Sequence, residues 1–157
     1  MSPITKILCP VDFEAGSRAA LTTARELAET FSAPIDVVHV LNVPYSVRPD
    51  LMVWLEAGHV RPMLDVARDQ AQQQLEDWLR EADASVERVG RELLIGEPAE
   101  AIVERAREGG YDLIVMGTHG RKGMQRLLLG SVAEKVVRRS ACAVLTVHRG
   151  QSSAAAA

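Results

Sequence analysis

Cysteine is scarce in this chain of 157 residues: only Cys9 and Cys142 occur, far apart, with no CxxC spacing and with apolar neighbours. That pattern argues for two reduced, buried thiols rather than a bridge or a redox pair. Long apolar runs are missing too. None approaches the roughly 20 residues of a membrane-spanning helix, and Met1-Ser2-Pro3-Ile4 leads into a strand-like segment without a secretory apolar region. A cytoplasmic protein with no membrane span is expected. Basic excess is also absent: 18 Lys+Arg against 21 Asp+Glu leave a net charge of −3, which argues against a dedicated nucleic-acid binder. The chain has no G-x-x-x-x-G-K-[ST], G-x-G-x-x-G or G-x-S-x-G sequence, which disfavours P-loop, dinucleotide-binding and serine-hydrolase chemistry. His39, His59, His119 and His148 show no paired ligand spacing, so no protein-held metal is expected. His39 reads as a strand histidine and His148 as a surface residue.

What the chain does contain is alternation of apolar patterns. Short β-branched or apolar runs at 4–11, 35–43, 86–95, 113–116 and 143–147 read as strands. Between them lie helical stripes. Ala20, Leu21, Ala24, Leu27, Ala28 and Phe31 recur at three- and four-residue spacing in a helix starting at Ser17 and ended by Pro34. Leu64, Ala67, Ala71, Leu75, Trp78 and Leu79 mark a second helix over 63–82. Pro98, suited to a first helical turn, opens a third with Ile102, Val103 and Ala106 as its apolar face, closed by Gly109-Gly110. A fourth runs from Ser131 to about Arg139. The order βαβαβαβαβ predicts a single-domain, doubly wound, five-stranded parallel sheet with helices on both faces. The domain is expected over 1–150, with 151–157 as an unstructured tail.

The most informative local pattern is Gly117-Thr118-His119-Gly120, nine residues, then Gly130-Ser131. It joins the strand Leu113-Ile114-Val115-Met116 to a helix start, with Ser131 at the expected N-cap. Glycines there let backbone amides approach a phosphate, and the first N–H groups of a helix favour negative charge. No carboxylate stands between Asp112 and Glu134, whereas Arg121, Lys122 and Arg126 supply local positive charge. Arg121 is the best candidate for a phosphate contact, with Lys122 and Arg126 further out. A solvated basic loop before an ordinary helix is the alternative, and the glycine spacing favours phosphate binding over it. In such sheets ligands bind beyond the carboxyl ends of the strands, where strand order reverses. Asp12 would approach the Gly117 loop if the first and fourth strands are neighbours.

These residues resemble the universal stress protein family, UspA-like, in its ATP-binding branch. Gly117, Gly120, Gly130 and Ser131 satisfy its G-x2-G-x9-G-[S/T] motif, and the likeness runs from Ile7-Leu8-Cys9-Pro10-Val11-Asp12 to Ala143-Val144-Leu145-Thr146-Val147. The resemblance implies a Rossmann-like adenine-nucleotide fold that binds ATP, with ADP or AMP as alternatives and Mg²⁺ carried by the nucleotide. Gly117, Gly120, Gly130, Ser131 and Val132 would hold ribose and phosphates. Asp12 would approach the ribose or the ATP-bound Mg²⁺, and Val40 would meet the adenine edge through its backbone. Pro10, Val11, Met116, His119, Arg121 and Gly123 complete the expected binding set. Two departures stand out: Ala143 replaces a frequent proline, and the hydroxyl usual shortly after the aspartate comes only at Ser17.

The resemblance also implies a homodimer through the last strand, with Val144, Leu145 and Val147 pairing across an edge that would otherwise stay open. The expected function is nucleotide-dependent regulation or sensing in stress response, with slow or no ATP hydrolysis and no catalytic residues, because no positioned base is evident. A nucleotide-free dimeric scaffold is the alternative. A small hydrolase using Ser131, with His119 and Asp12, ranks lower, as does a phospho-acceptor role for Asp12. The segment 45–58, with Leu51, Met52, Val53, Trp54 and Leu55, reads equally as a short helix completing the core or as a lid or partner-binding flap.

Overall fold

The computed structural model describes residues 3–44, 46, 48, 50–82, 89–118 and 129–148. Its elements are β1 (Ile7–Val11), α1 (Ala15–Phe31), β2 (Ile35–Leu41), β3 (Met52–Trp54), β4 (Val60–Pro62), α2 (Met63–Glu81), β5 (Val89–Ile95), α3 (Pro98–Glu108), β6 (Leu113–Gly117), α4 (Ser131–Arg139) and β7 (Ala143–Val147). Five strands form one parallel sheet in the order β5-β2-β1-β6-β7. The chain therefore winds outward from β1 to β2 and β5, then crosses to β6 and β7. Strand order reverses between β1 and β6.

Every residue of β1 is buried, as a central parallel strand covered on both faces requires. Side-chain alternation divides the core in two. Ile7, Cys9, Val11, Val37 and Val115 pack with Leu21, Ala24, Leu75 and Trp78 of α1 and α2. Leu8, Val38, Ile114 and Met116 pack with Ala99, Ile102 and Ala106 of α3 and with Ala133 and Val136 of α4. Helices thus cover both faces, as the alternating pattern predicted.

A polar brace closes the amino end of the sheet. The Tyr111 hydroxyl donates to Asp36 at 2.5 Å, and Lys6 lies 3.6 Å from the same carboxylate. Burial first, then the Asp36 carboxylate, push the Tyr111 phenol above its ordinary range. Gly90 of β5 faces this carboxylate so closely that a Cβ would lie 1.8 Å from Asp36 Oδ1. Glycine leaves room for the brace.

Several local expectations change. Helix α1 begins at Ala15, two residues before Ser17, and its last expected core residue, Phe31, is 45% exposed. The chain has already turned away at Ser32, whose left-handed backbone returns its N–H to the end of α1. The expected strand starts and ends also move inward, to Ile7 in β1 and to Leu41 in β2. Among the described residues of segment 45–58 the only helical element is a single 3-10 turn at Glu56–Gly58, and no helix completes the core. The segment's described part enters an antiparallel hairpin in which Met52 pairs with Pro62 and Trp54 with Val60. Trp54 is 79% exposed there, so the hairpin stands outside the core. Cys142 is only partly buried, while Cys9 is fully buried and both are free thiols.

Burial pushes the Cys9 thiol up to about 12 from 9.0. The unfolded chain then loses this proton at lower pH than the folded one, so folding stability falls as pH rises from about 9 toward 12. Cys9→Ala is expected to flatten that alkaline slope in urea melts recorded across this window, and native Cys9 should resist thiol reagents that reach Cys142. Leu75→Ala, at a fully buried site under α1 and the sheet, should cost about 2–5 kcal/mol, measured by urea denaturation.

Candidate functional site

Strand β1 carries a proline in the middle of the sheet, a position where the missing N–H normally breaks a ladder. Its direction matters. Ile7 donates to Pro34, on the β2 side, whereas Lys6 accepts from Asp112, on the β6 side. Backbone groups alternate along a strand, so Leu8 and Pro10 face β6. The β1–β6 ladder accordingly pairs Ile7 with Leu113 and Leu8 with Ile114 and goes no further, while β1–β2 pairing continues to Val11. The two strands are thus unladdered at their carboxyl ends, at the point where strand order reverses.

A cavity of about 250 Å³ lies there. Pro10, Val11, Asp12, Val40, Met116, Gly117, Gly130, Ser131 and Val132 all line it. These expected site residues come from β1, β2, β6 and α4 and meet only through the fold. His119, Gly120, Arg121 and Gly123, with Lys122 and Arg126, lie outside the described residues. Val38, Pro98, Ile102, Thr118, Ala133, Ser17 and His39 also line the cavity, beyond the residues expected from sequence. Pro98 and Ile102 carried only a helix-start and core-face signal, because nothing local places α3 over this crevice.

The walls divide by chemistry. Val38, Val40, Ile102, Met116, Val132 and Ala133 belong to the apolar layer between the sheet and α3 and α4. Asp12, Ser17, Thr118 and Ser131 supply hydroxyl and carboxylate groups. Strand alternation sets His39 apart: its ring stacks 4.2 Å from Phe13, and its Nδ1 lies 2.8 Å from the Val11 carbonyl. The ring therefore belongs to the α1 and α2 layer that also holds Trp78.

Asp12 is held from its own turn. Its Oδ1 accepts from the Ser17 hydroxyl at 2.6 Å and from the Glu14 N–H at 3.1 Å, while its own N–H donates to Ser17 Oγ at 2.9 Å. Phe13, at φ 70°, makes that turn in a left-handed conformation.

Thr118 closes the base of the glycine loop. It accepts from the Gly130 N–H at 2.6 Å, and its own N–H donates to the Val147 carbonyl at 3.2 Å. The Thr118 hydroxyl and His148 Nδ1 lie 3.1 Å apart. Helix α4 then begins with Ser131 as its first helical residue, Gly130 standing at the N-cap with extended backbone. Ser131 is therefore the first helical residue rather than the cap expected from sequence. Helices α3 and α4 are tied by Lys135, 3.1 Å from Glu97. The Glu100 N–H, foremost, and Lys135 hold the Glu97 carboxyl below its usual range.

Gly117 has a packing reason to be glycine. A Cβ there would lie 2.9 Å from the Gly16 carbonyl carbon and 3.1 Å from its oxygen. The end of β6 therefore rests on the first turn of α1. Among the described residues no cluster of three or more His, Cys, Asp or Glu is arranged to hold a metal ion, and no helix is long and apolar enough to cross a membrane.

A doubly wound parallel sheet with a cavity at the switch point defines an α/β protein of Rossmann-like type, the class in which that crevice is where ligands bind. The chain belongs to the universal stress protein family, whose model matches residues 3–148. It is 34% identical to universal stress protein MJ0531 of Methanocaldococcus jannaschii over 145 residues, covering 92% of this chain and 82% of the relative. Among solved structures it resembles universal stress protein UspA from Lactobacillus plantarum, with TM-score 0.70 and 25% identity over 94% of this chain and 99% of that one. A universal stress protein in complex with cAMP matches with TM-score 0.67 and 26% identity, over 95% and 100% of the two chains.

Gly117→Ala is expected to cost about 1–3 kcal/mol, because backbone cannot rotate aside as a side chain can. Urea denaturation in the absence of any ligand measures it. Unchanged stability would mean that the Gly16 contact does not constrain this position.

Proposed function

We propose that this protein binds an adenine nucleotide, ATP with its Mg²⁺, and acts as a nucleotide-dependent regulator or sensor in stress response. The observation that carries this reading is the cavity at the parted ends of β1 and β6, apolar along one wall and bordered by the start of α4. Its volume of about 250 Å³ is below the roughly 300–1,000 Å³ of drug-sized ligand pockets. A base and part of a sugar suit it, with phosphates extending over Gly130 and Ser131. N–H groups without an intrahelical partner in the first turn of α4, and the positive charges of Arg121, Lys122 and Arg126 in the sequence before it, favour that direction. The likeness to a solved cAMP complex supports the choice of adenine nucleotide.

In this pose Val40 offers its backbone to the adenine edge and Asp12 meets the ribose or the nucleotide's Mg²⁺. Gly117, Gly120, Gly130, Ser131 and Val132 hold ribose and phosphates, while Pro10, Val11, Met116, His119, Arg121 and Gly123 complete the surround. The Mg²⁺ would be carried by the nucleotide's phosphates, with Asp12 the one carboxylate among the described residues lining the cavity. Occupancy rather than fast hydrolysis would be the output, in a cytoplasmic setting that suits two free thiols. The subunits pair through β7, an edge strand on which Ala143 and Leu145 are exposed.

A nucleotide-free scaffold is the second reading, favoured by the apolar surface of Leu51, Met52 and Trp54 on the hairpin. Calorimetry on stripped protein separates the two: Mg-ATP binding supports the sensor, and silence with an intact dimer supports the scaffold. Gly130→Val should abolish ATP binding with an unchanged thermal melt, since the added side chain obstructs phosphate approach. Leu145→Asp should yield monomers in sedimentation velocity by placing a charge at the pairing edge.

A further inference from the structure

We infer that Ser17 is a positioning residue that turns Asp12 into a single-oxygen acceptor for a ribose hydroxyl. The inference rests on the nucleotide-binding reading and assigns a role inside that site. Its physical origin is the interrupted ladder. Asp12 lies on the same side of β1 as Leu8 and Pro10, so its N–H would reach β6 if the ladder continued. The ladder has stopped, and the Ser17 hydroxyl accepts that N–H instead, at 2.9 Å. The same hydroxyl gives its one proton to Asp12 Oδ1 at 2.6 Å. With the Glu14 N–H also on Oδ1, that oxygen is occupied twice, while Oδ2 has no hydrogen-bond partner among the described residues.

A carboxylate held this way, on a residue that lines the cavity, keeps one oxygen for a ligand. That geometry suits an O–H donor, whereas a two-oxygen grip on a cation would require Oδ1 to give up its donors. Ser17 can hold the group because it is itself fixed. It is 4% exposed, it sits in the first turn of α1, and the neighbouring Gly16 rests against Gly117. The family-like hydroxyl missing immediately after Asp12 is thus replaced one helical turn later.

The test uses the full chain, stripped of nucleotide, with ATP, 2′-deoxy-ATP and 3′-deoxy-ATP as probes in calorimetry. Wild-type protein should bind ATP roughly tenfold more tightly than one of the two deoxy analogues, the loss expected for one charge-assisted hydrogen bond. Ser17→Ala should lower ATP affinity to the level of that analogue and leave the analogue unchanged. In an Asp12→Ala background, Ser17→Ala should have no further effect. Without any nucleotide, amide exchange at Asp12 should accelerate in Ser17→Ala while the core amide of Val37 keeps its rate.

Equal affinities for all three nucleotides in the wild type overturn this inference alone. So does discrimination that survives in Ser17→Ala, an additive loss in the double variant, or unchanged exchange at Asp12. Failure of the wild type to bind any of the three overturns the nucleotide reading, and this assignment with it.

Discussion

Strand β1 lies between β2 and β6 and is buried on both faces, so its backbone groups need ladder partners, and Pro10 has no N–H to offer β6. This one missing donor coincides with the end of the β1–β6 ladder after Leu8. A buried strand normally tolerates such a gap poorly. Here the gap falls at the carboxyl end, where strand order reverses and where a sheet of this type holds its ligand. The crevice and the Asp12 N–H turned to Ser17 lie at this gap, and α1 approaches β6 beside it through Gly16 and Gly117. The amino half of the same pair stays laddered and is braced from outside by Lys6, Asp36 and Tyr111.

The glycines flanking the loop are not equivalent in the fold. Gly117 is occupied with packing, since a Cβ would strike the Gly16 backbone. Gly130 stands at the N-cap of α4 with extended φ and ψ that any residue can adopt. Its own backbone angles therefore do not require glycine. Thr118, between the two, bonds to both the start of α4 and the end of β7. The base of the loop is thereby tied to the edge strand proposed for pairing, so the two proposed functions share one anchor.

The fold was readable from sequence to the extent that it depends on local periodicity. Apolar β-branched runs covered on both faces and helical stripes with three- and four-residue spacing gave five strands and four helices in the observed order. Errors fell where local pattern competes with context. Phe31 fits the stripe of α1 but lies past the last turn that touches the sheet. Ser131 has the side chain of a cap, yet Gly130 takes the position because its carbonyl accepts the first helical bond from Glu134. For Met52 and Trp54 a core helix was one of two readings, and the exposed hairpin overturns that one alone.

Sequence alone determined the alternation of elements, the glycine and hydroxyl spacing after β6 and the family these imply, because each is a property of neighbours along the chain. Only tertiary structure decided that β1 lies beside β6, that Pro98 and Ile102 of α3 wall the same cavity as Val40, and that the Ser17 hydroxyl bonds both the N–H and the carboxylate of Asp12. Those facts depend on which strand edges meet and on which side of β1 each N–H points. Linear spacing carries the period of a strand but not the identity of the strand beside it.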